Sequence, residues 1–397
     1  MIETVIQTKL ETKLTAEPLR KEIVPDLVHT AGPCITLLLP PYRPGEPSEP
    51  AAALLKTDLQ AAAHQLAARK IPEPLIGELL EPLRQLSHEE ESLAGAGFPR
   101  VIFRSPGVFR QFELPVPPSP VQACTVGGCF CIRPILSSLA LPANVYVLEV
   151  TKKAAALLAC SFTGVTPVAL PEGTPKTLEE ALGFKAPDHD LINRSAAGPS
   201  TGAMHGVQFG TGSGRERQHA HLHDFYEAVD RGVTELLHWN QAPLVLAGVD
   251  EDVAIYRAAS SYSNLLEQGI HGSPGTQMTP AQILRQAHDI ALFEIQRRAA
   301  SEMAAFKEHL APSRFATDLD GILRAAVEGR VSDLYLDENA QCVGNFDGKV
   351  FGGGANWHDE DLLNIAAVET LLRGGAVHSL PTHLMSGGSL AAAAFRY

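Results

Sequence analysis

The residues His205-Gly206-Val207-Gln208-Phe209-Gly210-Thr211-Gly212-Ser213-Gly214-Arg215-Glu216-Arg217 gather the side chains and backbone most able to do chemistry in this chain. Six glycines fall between Gly198 and Gly214. Over 185–223, Lys185, Arg194, Arg215 and Arg217 outnumber Asp188, Asp190 and Glu216, although the whole protein carries a net charge of −13. Glycine permits φ > 0 and a close approach of backbone to a ligand. Successive backbone N–H groups in such turns form anion-binding concavities. His189, His205, His219, His221 and His223 add positive charge below about pH 6.5. This stretch is therefore the best candidate for phosphate contact, through His205, Gly210, Gly212, Gly214, Arg215 and Arg217. The plain alternative is a solvated loop.

Other constellations are weaker. His219-Ala220-His221-Leu222-His223 has the look of a metal motif. On a helix, however, only His219 and His223, four apart, share a face, and two ligands do not make a site. Cys124, Cys129 and Cys131 match no standard zinc spacing and read as buried thiols in a strand pair turning at Gly127-Gly128. Gly210-Thr211-Gly212-Ser213-Gly214 lacks the Lys-Ser/Thr that completes a nucleotide-phosphate loop, and Gly352-Gly353-Gly354 reads as a hairpin turn. No nucleophile-elbow pattern stands at a strand-to-helix turn. Neither a metal nor a cofactor is expected.

The 397 residues exceed one domain. With 45% hydrophobic and 19% charged residues, the composition excludes disordered, collagen-like and coiled-coil classes. The excess of 45 acidic over 32 basic residues excludes nonspecific affinity of the whole surface for a phosphate backbone, so any RNA contact must be local and DNA is not expected. No stretch reaches the apolar length of a membrane span. The first residues lack a basic and apolar leader, so a cytoplasmic location is expected.

Patterning predicts the elements that would position these residues. A strand at 35–39 precedes a helix over 51–68 with Leu54, Leu55, Leu59, Ala62 and Leu66 on one face, and a second helix over 74–92. Strands follow at 100–104 and 108–114, then a hairpin at 145–150 and 154–160 and a strand at 165–170. Residues 171–218 show no periodicity, a length usually reserved for functional loops. Leu222, Phe225, Tyr226, Val229, Val233, Leu236 and Leu237 then mark an amphipathic helix. A buried strand at 243–249 leads to a helix with Val253, Tyr256 and Arg257. After Gly269–Gly275, helices are expected at 280–310 and 319–328, a strand at 331–336, and a helix from Asp361 to Arg373 capped by Asp359 and ended by Gly374-Gly375. Strands at 376–380 and 390–397 complete an α/β, multidomain chain with domains at 1–140, 141–268 and 269–397.

The order of Thr36-Leu37-Leu38-Leu39-Pro40 with Tyr42-Arg43, Tyr146 to Lys152, Pro243 to Val249 followed by Tyr256-Arg257, and Asp359 to Leu363 through Gly374-Gly375-Ala376-Val377 to Phe395-Arg396-Tyr397 resembles the bacterial relatives of the archaeo-eukaryotic class-1 translation release factor and Pelota. The resemblance implies an N-terminal α/β domain, a ribonuclease-H-like middle domain and an L7Ae-like C-terminal domain. It also implies a soluble ribosome-associated role in termination or ribosome rescue, with ribosome and tRNA as partners and a protein partner for the C-terminal domain. In that family a Gly-Gly-Gln loop of the middle domain assists attack of water on the peptidyl-tRNA ester. Gly206-Val207-Gln208 occupies the matching place, which makes Gly206 and Gln208 the candidate catalytic residues and the Gly/His-rich loop the candidate RNA contact. The middle position is Val, which disfavours the φ > 0 that glycine permits. No Asn-Ile-Lys-Ser stop-codon signature is present in the N-terminal part, so codon reading is not expected. The alternative is a non-catalytic module that has kept the fold to bind ribosome, tRNA or protein.

Overall fold

The computed structural model describes residues 17–19, 21–30, 32–41, 49–86, 98–119, 123–162, 164–183, 212–272, 278–346, 351–352 and 360–397. By its contacts the chain forms two compact units, one made of the residues up to Pro142 together with Leu292–Tyr397, the other of Ala143–Ala291.

In the first unit, β1 (Glu17–Pro18) precedes a short helix, α1 (Val24–Val28), and β2 (Cys34–Leu39). Helices α2 (Glu49–Ala68) and α3 (Glu73–Leu86) follow, then β3 (Arg100–Ser105), β4 (Val108–Glu113) and β5 (Cys124–Gly127). The sheet order is β1-β4-β3-β2-β5, antiparallel except for the β1/β4 pair. Alternation along the strands divides its two faces. Ile35, Leu37 and Ile102 pack under Leu55, Leu59, Ala62 and Leu66 of α2 and Leu79, Leu80 and Leu83 of α3. Cys34, Val101 and Phe103 point the other way. Leu54, expected on the buried stripe of α2, is 56% exposed, because Leu55 already occupies that turn of the stripe.

The second face of this sheet is covered by the C-terminal elements. After α4 (Leu136–Ala140), the second unit intervenes in sequence. In chain order, that unit contains β6 (Asn144–Val150), β7 (Ala155–Ser161), β8 (Gly164–Val168), α5 (Leu178–Gly183), α6 (Gly212–Leu237), β9 (Leu244–Gly248), α7 (Asp250–Ala259) and β10 (Leu265–His271). Helix α8 (Pro280–His309) leads back to β11 (Phe315–Ala316), α9 (Leu319–Val327), β12 (Val331–Asp337), β13 (Val343–Phe346), β14 (Phe351–Gly352) and β15 (Glu360–Asp361). The chain closes with α10 (Leu362–Leu372), β16 (Ala376–Leu380) and β17 (Ala391–Phe395). One sheet runs β11-β17-β12-β16, and β14-β13-β15 form a small antiparallel sheet. Leu323, Leu334, Leu336, Leu363, Ala366 and Ala393 join Val101, Phe103 and Phe130 in a single core. The β17 run Ala-Ala-Ala-Ala-Phe is buried throughout, its alanines divided between that core and a second cluster with Met303, Tyr335 and Leu380. Burial on both faces overrides the weak strand preference of alanine.

In the second unit the order is β10-β9-β6-β7-β8, with β10/β9 and β9/β6 parallel and the other pairs antiparallel. Helices α6 and α7 cover one face, where Phe225, Tyr226, Val229, Val233, Ile255 and Tyr256 meet Leu148, Leu157, Leu244 and Leu246. Expected and observed divisions of the chain do not map one to one. The first bound, near 140, lies beside the Pro142/Ala143 division, whereas 268 falls within β10, and the two flanking thirds share a core. Gly269 reads in sequence as part of a linker. In β10 it serves a close strand approach, since a Cβ there would lie 2.9 Å from the Leu246 carbonyl oxygen.

Candidate functional site

Helix α6 begins at Gly212, ten residues before the first residue of the apolar stripe. Gly212, Gly214, Arg215 and Arg217 therefore belong to its first turns and not to an aperiodic loop. Gln218, His219, Ala220 and His221 are exposed, which is why no apolar periodicity marks this part of the helix. His205, Gly206, Gln208 and Gly210 lie outside the described residues. The expected aperiodic stretch also contains a regular element, α5, whose Glu180 carboxylate accepts the Lys176 N–H at 2.7 Å.

Leu222, Phe225, Tyr226, Val229, Val233 and Leu237 fix α6 to the sheet. A buried carboxylate fixes it laterally. Asp230, 2% exposed, accepts the Tyr256 hydroxyl at 3.0 Å, the Ser260 hydroxyl at 2.6 Å, and the Ser261 N–H and hydroxyl at 2.7 and 3.0 Å. These bonds tie α6 to the end of α7 and the segment before β10. The N-terminal turns of α6 are thus carried by a firmly held helix body.

Among the described residues, the group that draws together on α6 is not His219 with His223, which the sequence marks as too few ligands for a site, but another that includes His223. His223, Asp224 and Glu227 bring one ligand atom each to within 4.8 Å of one another, with His223 half-buried and the carboxylates exposed. These three could ligate a divalent cation. Solvent-facing acidic groups of this kind also occur on helices with no metal role.

The first unit contains a polar junction that sequence reasoning did not find. Arg133, 2% exposed, makes a 2.5 Å ion pair with Asp361 and donates to the carbonyls of Asp337 at 3.0 Å and Ala340 at 2.7 Å. Asp361 also caps α10 by accepting the Leu363 N–H at 3.1 Å, replacing the expected cap, Asp359, which lies outside the described residues. Asn364 accepts the Ile132 N–H at 2.8 Å and donates to the Phe130 carbonyl at 3.0 Å. Glu360 accepts the Gly128 N–H at 2.5 Å and lies 3.5 Å from Arg69. Arg69, Glu360, Asp361 and Asn364, together with Gln65, Cys129 and Gln341, line a cavity of about 180 Å³, with Arg133 behind Asp361 and outside the lining. The one signal in the sequence was a lone arginine within the apolar run Phe130–Leu136.

The cysteines correct another expectation. Cys124 lies on β5, but no strand returns after Gly127-Gly128; the chain passes instead into a short 3-10 turn at Arg133–Ile135. Burial pushes the Cys34, Cys124 and Cys131 thiols up to about 12, with Glu360, Asp58 and Asp361 respectively adding to the rise. Cys129 is raised as well, by burial and then Glu360. A thiol so disfavoured as thiolate is neither a nucleophile nor a ready metal ligand. The junction ties β15 and α10 to the segment Gly128–Arg133 of the same unit.

Residues 144–330 match the family model described as bacterial archaeo-eukaryotic release factor family 3. Among curated proteins no match was found. Solved structures that are similar include the archaeal translation termination factor aRF1, 12% identical over 96% of this chain and 99% of that chain, with a TM-score of 0.24. Pelota of Archaeoglobus fulgidus is 13% identical over 76% and 80%, with a TM-score of 0.35. Dom34 of S. cerevisiae, a translation termination-like factor, is 9% identical over 64% and 63%, with a TM-score of 0.30.

Proposed function

We propose, from the match of residues 144–330 to the model of bacterial archaeo-eukaryotic release factor family 3, that this chain is a ribosome-associated factor acting in translation termination or ribosome rescue. The observation that carries the reading is the extent of the family match, which takes in the second unit and with it the segment 205–217. Two features of that unit agree with it. Counted from β6 as first strand, the sheet reads 5-4-1-2-3, with strand 2 alone antiparallel to the other four, as in a ribonuclease-H-like sheet. The candidate loop also runs directly into α6, whose body is anchored by six buried apolar residues and Asp230. The C-terminal sheet with α9 and α10 is read as the L7Ae-like part, the place for a protein partner.

In the catalytic form of the reading, Gly206 and Gln208 act at the peptidyl-tRNA ester. The Gln208 amide holds the attacking water or the developing oxyanion at about 3 Å, which requires positioning and no strong base. His205, Gly210, Gly212, Gly214, Arg215 and Arg217 contact tRNA or rRNA phosphates. Gln208→Ala should then slow peptide release from programmed ribosomes without weakening co-sedimentation. Arg215→Ala with Arg217→Ala should weaken co-sedimentation and flatten its salt dependence. Val207 favours a second reading, in which the unit binds ribosome or tRNA without hydrolysis. Ribosome binding with no release, unchanged by Val207→Gly, would select that second reading. Failure to sediment with ribosomes would remove both.

A further inference from the structure

The cavity of the first unit is walled by elements far apart in sequence. Gln65 comes from α2 and Arg69 from just beyond it, Val126 from β5, Val343 from β13 with Gln341 ahead of it, and Glu360 from β15. At about 180 Å³ it is smaller than the roughly 300–1,000 Å³ pockets of drug-sized ligands, which sets its occupant at the size of a small metabolite. Its two facing charges are shielded from water, the Arg69 side chain being 16% and the Glu360 side chain 23% exposed.

The polar groups of the wall divide by what they already hold. Both oxygens of Asp361 are engaged, one by Arg133 and the other by the Leu363 N–H. Both ends of the Asn364 amide are engaged as well, by the Ile132 N–H and the Phe130 carbonyl. Glu360 differs. Its Oε1 accepts the Gly128 N–H and faces Arg69 at 3.5 Å, whereas Oε2 meets only the weakly donating Cys129 thiol, at 4.0 Å. The carboxylate is nonetheless fixed in place, because Gly128 leaves it room: a Cβ there would lie 3.0 Å from Oε1. A separation of 3.5 Å is longer than a direct hydrogen bond, and a guanidinium has five donors with which to serve more than one acceptor. Among the described residues the side-chain amides of Gln65 and Gln341 take part in no hydrogen bond.

What remains for a ligand is therefore one cation, one carboxylate oxygen beside it, and two amides. A lone anion would meet Arg69 but also Glu360, and a lone cation the reverse. An apolar molecule would strip water from both charges and return no hydrogen bond. A zwitterion answers both at once: its carboxylate takes the guanidinium fork, and its ammonium donates to Glu360 Oε2. We propose that this cavity binds a free α-amino acid with an uncharged polar side chain, its two charged ends laid against Arg69 and Glu360 and its side chain received by the amides of Gln65 and Gln341. The site belongs to the first unit and does not depend on the ribosome-associated reading.

The test uses the full-length protein with glutamine as the probe, read by isothermal titration and by the rise in thermal midpoint. N-acetylglutamine, which lacks the ammonium, and glutamine tert-butyl ester, which lacks the carboxylate, should each bind about tenfold more weakly or worse. Arg69→Gln and Glu360→Gln should each cause a loss of the same order. The second variant keeps an acceptor for the Gly128 N–H, so its unliganded midpoint should stay near that of the wild type. Gln65→Ala, at a half-buried helix position, serves if a charge variant fails to fold: it should weaken glutamine and leave glycine unaffected. No binding at about 10 mM glutamine overturns the proposal, as does binding indifferent to the loss of either charged end or to all of these variants. Tighter binding of guanosine or of inorganic phosphate than of glutamine overturns it too.

Discussion

At the scale of single residues, the second unit contains two buried carboxylates with opposite fates. Asp230 is surrounded by four donors, whereas Asp252, 3% exposed in the first turn of α7, has one oxygen without a hydrogen-bond partner. Burial raises the pKa of Asp252 above the usual carboxylate value, with Lys152 opposing the shift in part. The folded protein therefore holds this proton to higher pH than the unfolded chain does. Its contribution to stability declines as pH rises from the ordinary carboxylate pKa through the raised one, and stays low above it. Asp252→Asn should accordingly raise the melting temperature at pH 7, with the advantage disappearing below about pH 4. A melting temperature at pH 7 equal to or below that of the wild type would show that the charge is already compensated. Asp361 has a cationic partner in Arg133, so Arg133→Met, which leaves that carboxylate without its counter-charge and two carbonyls without their donor, should lower stability in urea by about 3 kcal/mol. A loss under about 1 kcal/mol would mean that water replaces the guanidinium, as at an exposed ion pair.

At the scale of elements, close strand packing can be tested at Gly248, the last residue of β9. A Cβ there would lie 2.6 Å from the Val150 carbonyl oxygen of neighbouring β6. Gly248→Ala should destabilise the second unit by about 1–3 kcal/mol, read as a lower thermal midpoint; an unchanged midpoint would mean that the strands separate freely. Such glycines also mark where the sequence could be read and where it could not. Strands and helices with strong periodicity, such as the 145–160 hairpin, α2, α8 and α10, stand where the pattern of apolar residues puts them. β10 was hidden, because Leu266 and Ile270 are its only fully buried apolar residues and Gly269 imitates a linker. The start of α6 was hidden because its exposed turns carry no apolar stripe. The Arg133 junction was illegible for a different reason: its partners, Asp337, Ala340 and Asp361, lie more than two hundred residues away in sequence, and nothing local encodes such a pairing.

At the scale of the whole molecule, the two compact units predict how fragments behave. Residues 143–291 expressed alone should fold and unfold cooperatively, since β6 to β10, α6 and α7 bury one another. Residues 1–142 alone should not, because Val101, Phe103 and Phe112 have their covering side chains in the stretch 322–395. Adding 292–397 as a separate chain should restore near-ultraviolet dichroism to the first fragment. A sharp thermal transition of 1–142 by itself would show that its sheet needs no second face.

A core whose halves lie at opposite ends of a chain is also a core assembled late. During synthesis the first sheet emerges with one apolar face bare, and it must wait while residues 143–291 are made before its cover begins to appear. At about 5–20 residues per second, the interval to the final strand is on the order of 10–50 s, long compared with the collapse of a small domain. The intervening unit can fold on schedule as it leaves the exit tunnel, whereas the first remains unfinished. Yield of soluble protein in the cell should therefore depend on the speed of translation through the last third of the message, and on whatever shields that sheet in the meantime.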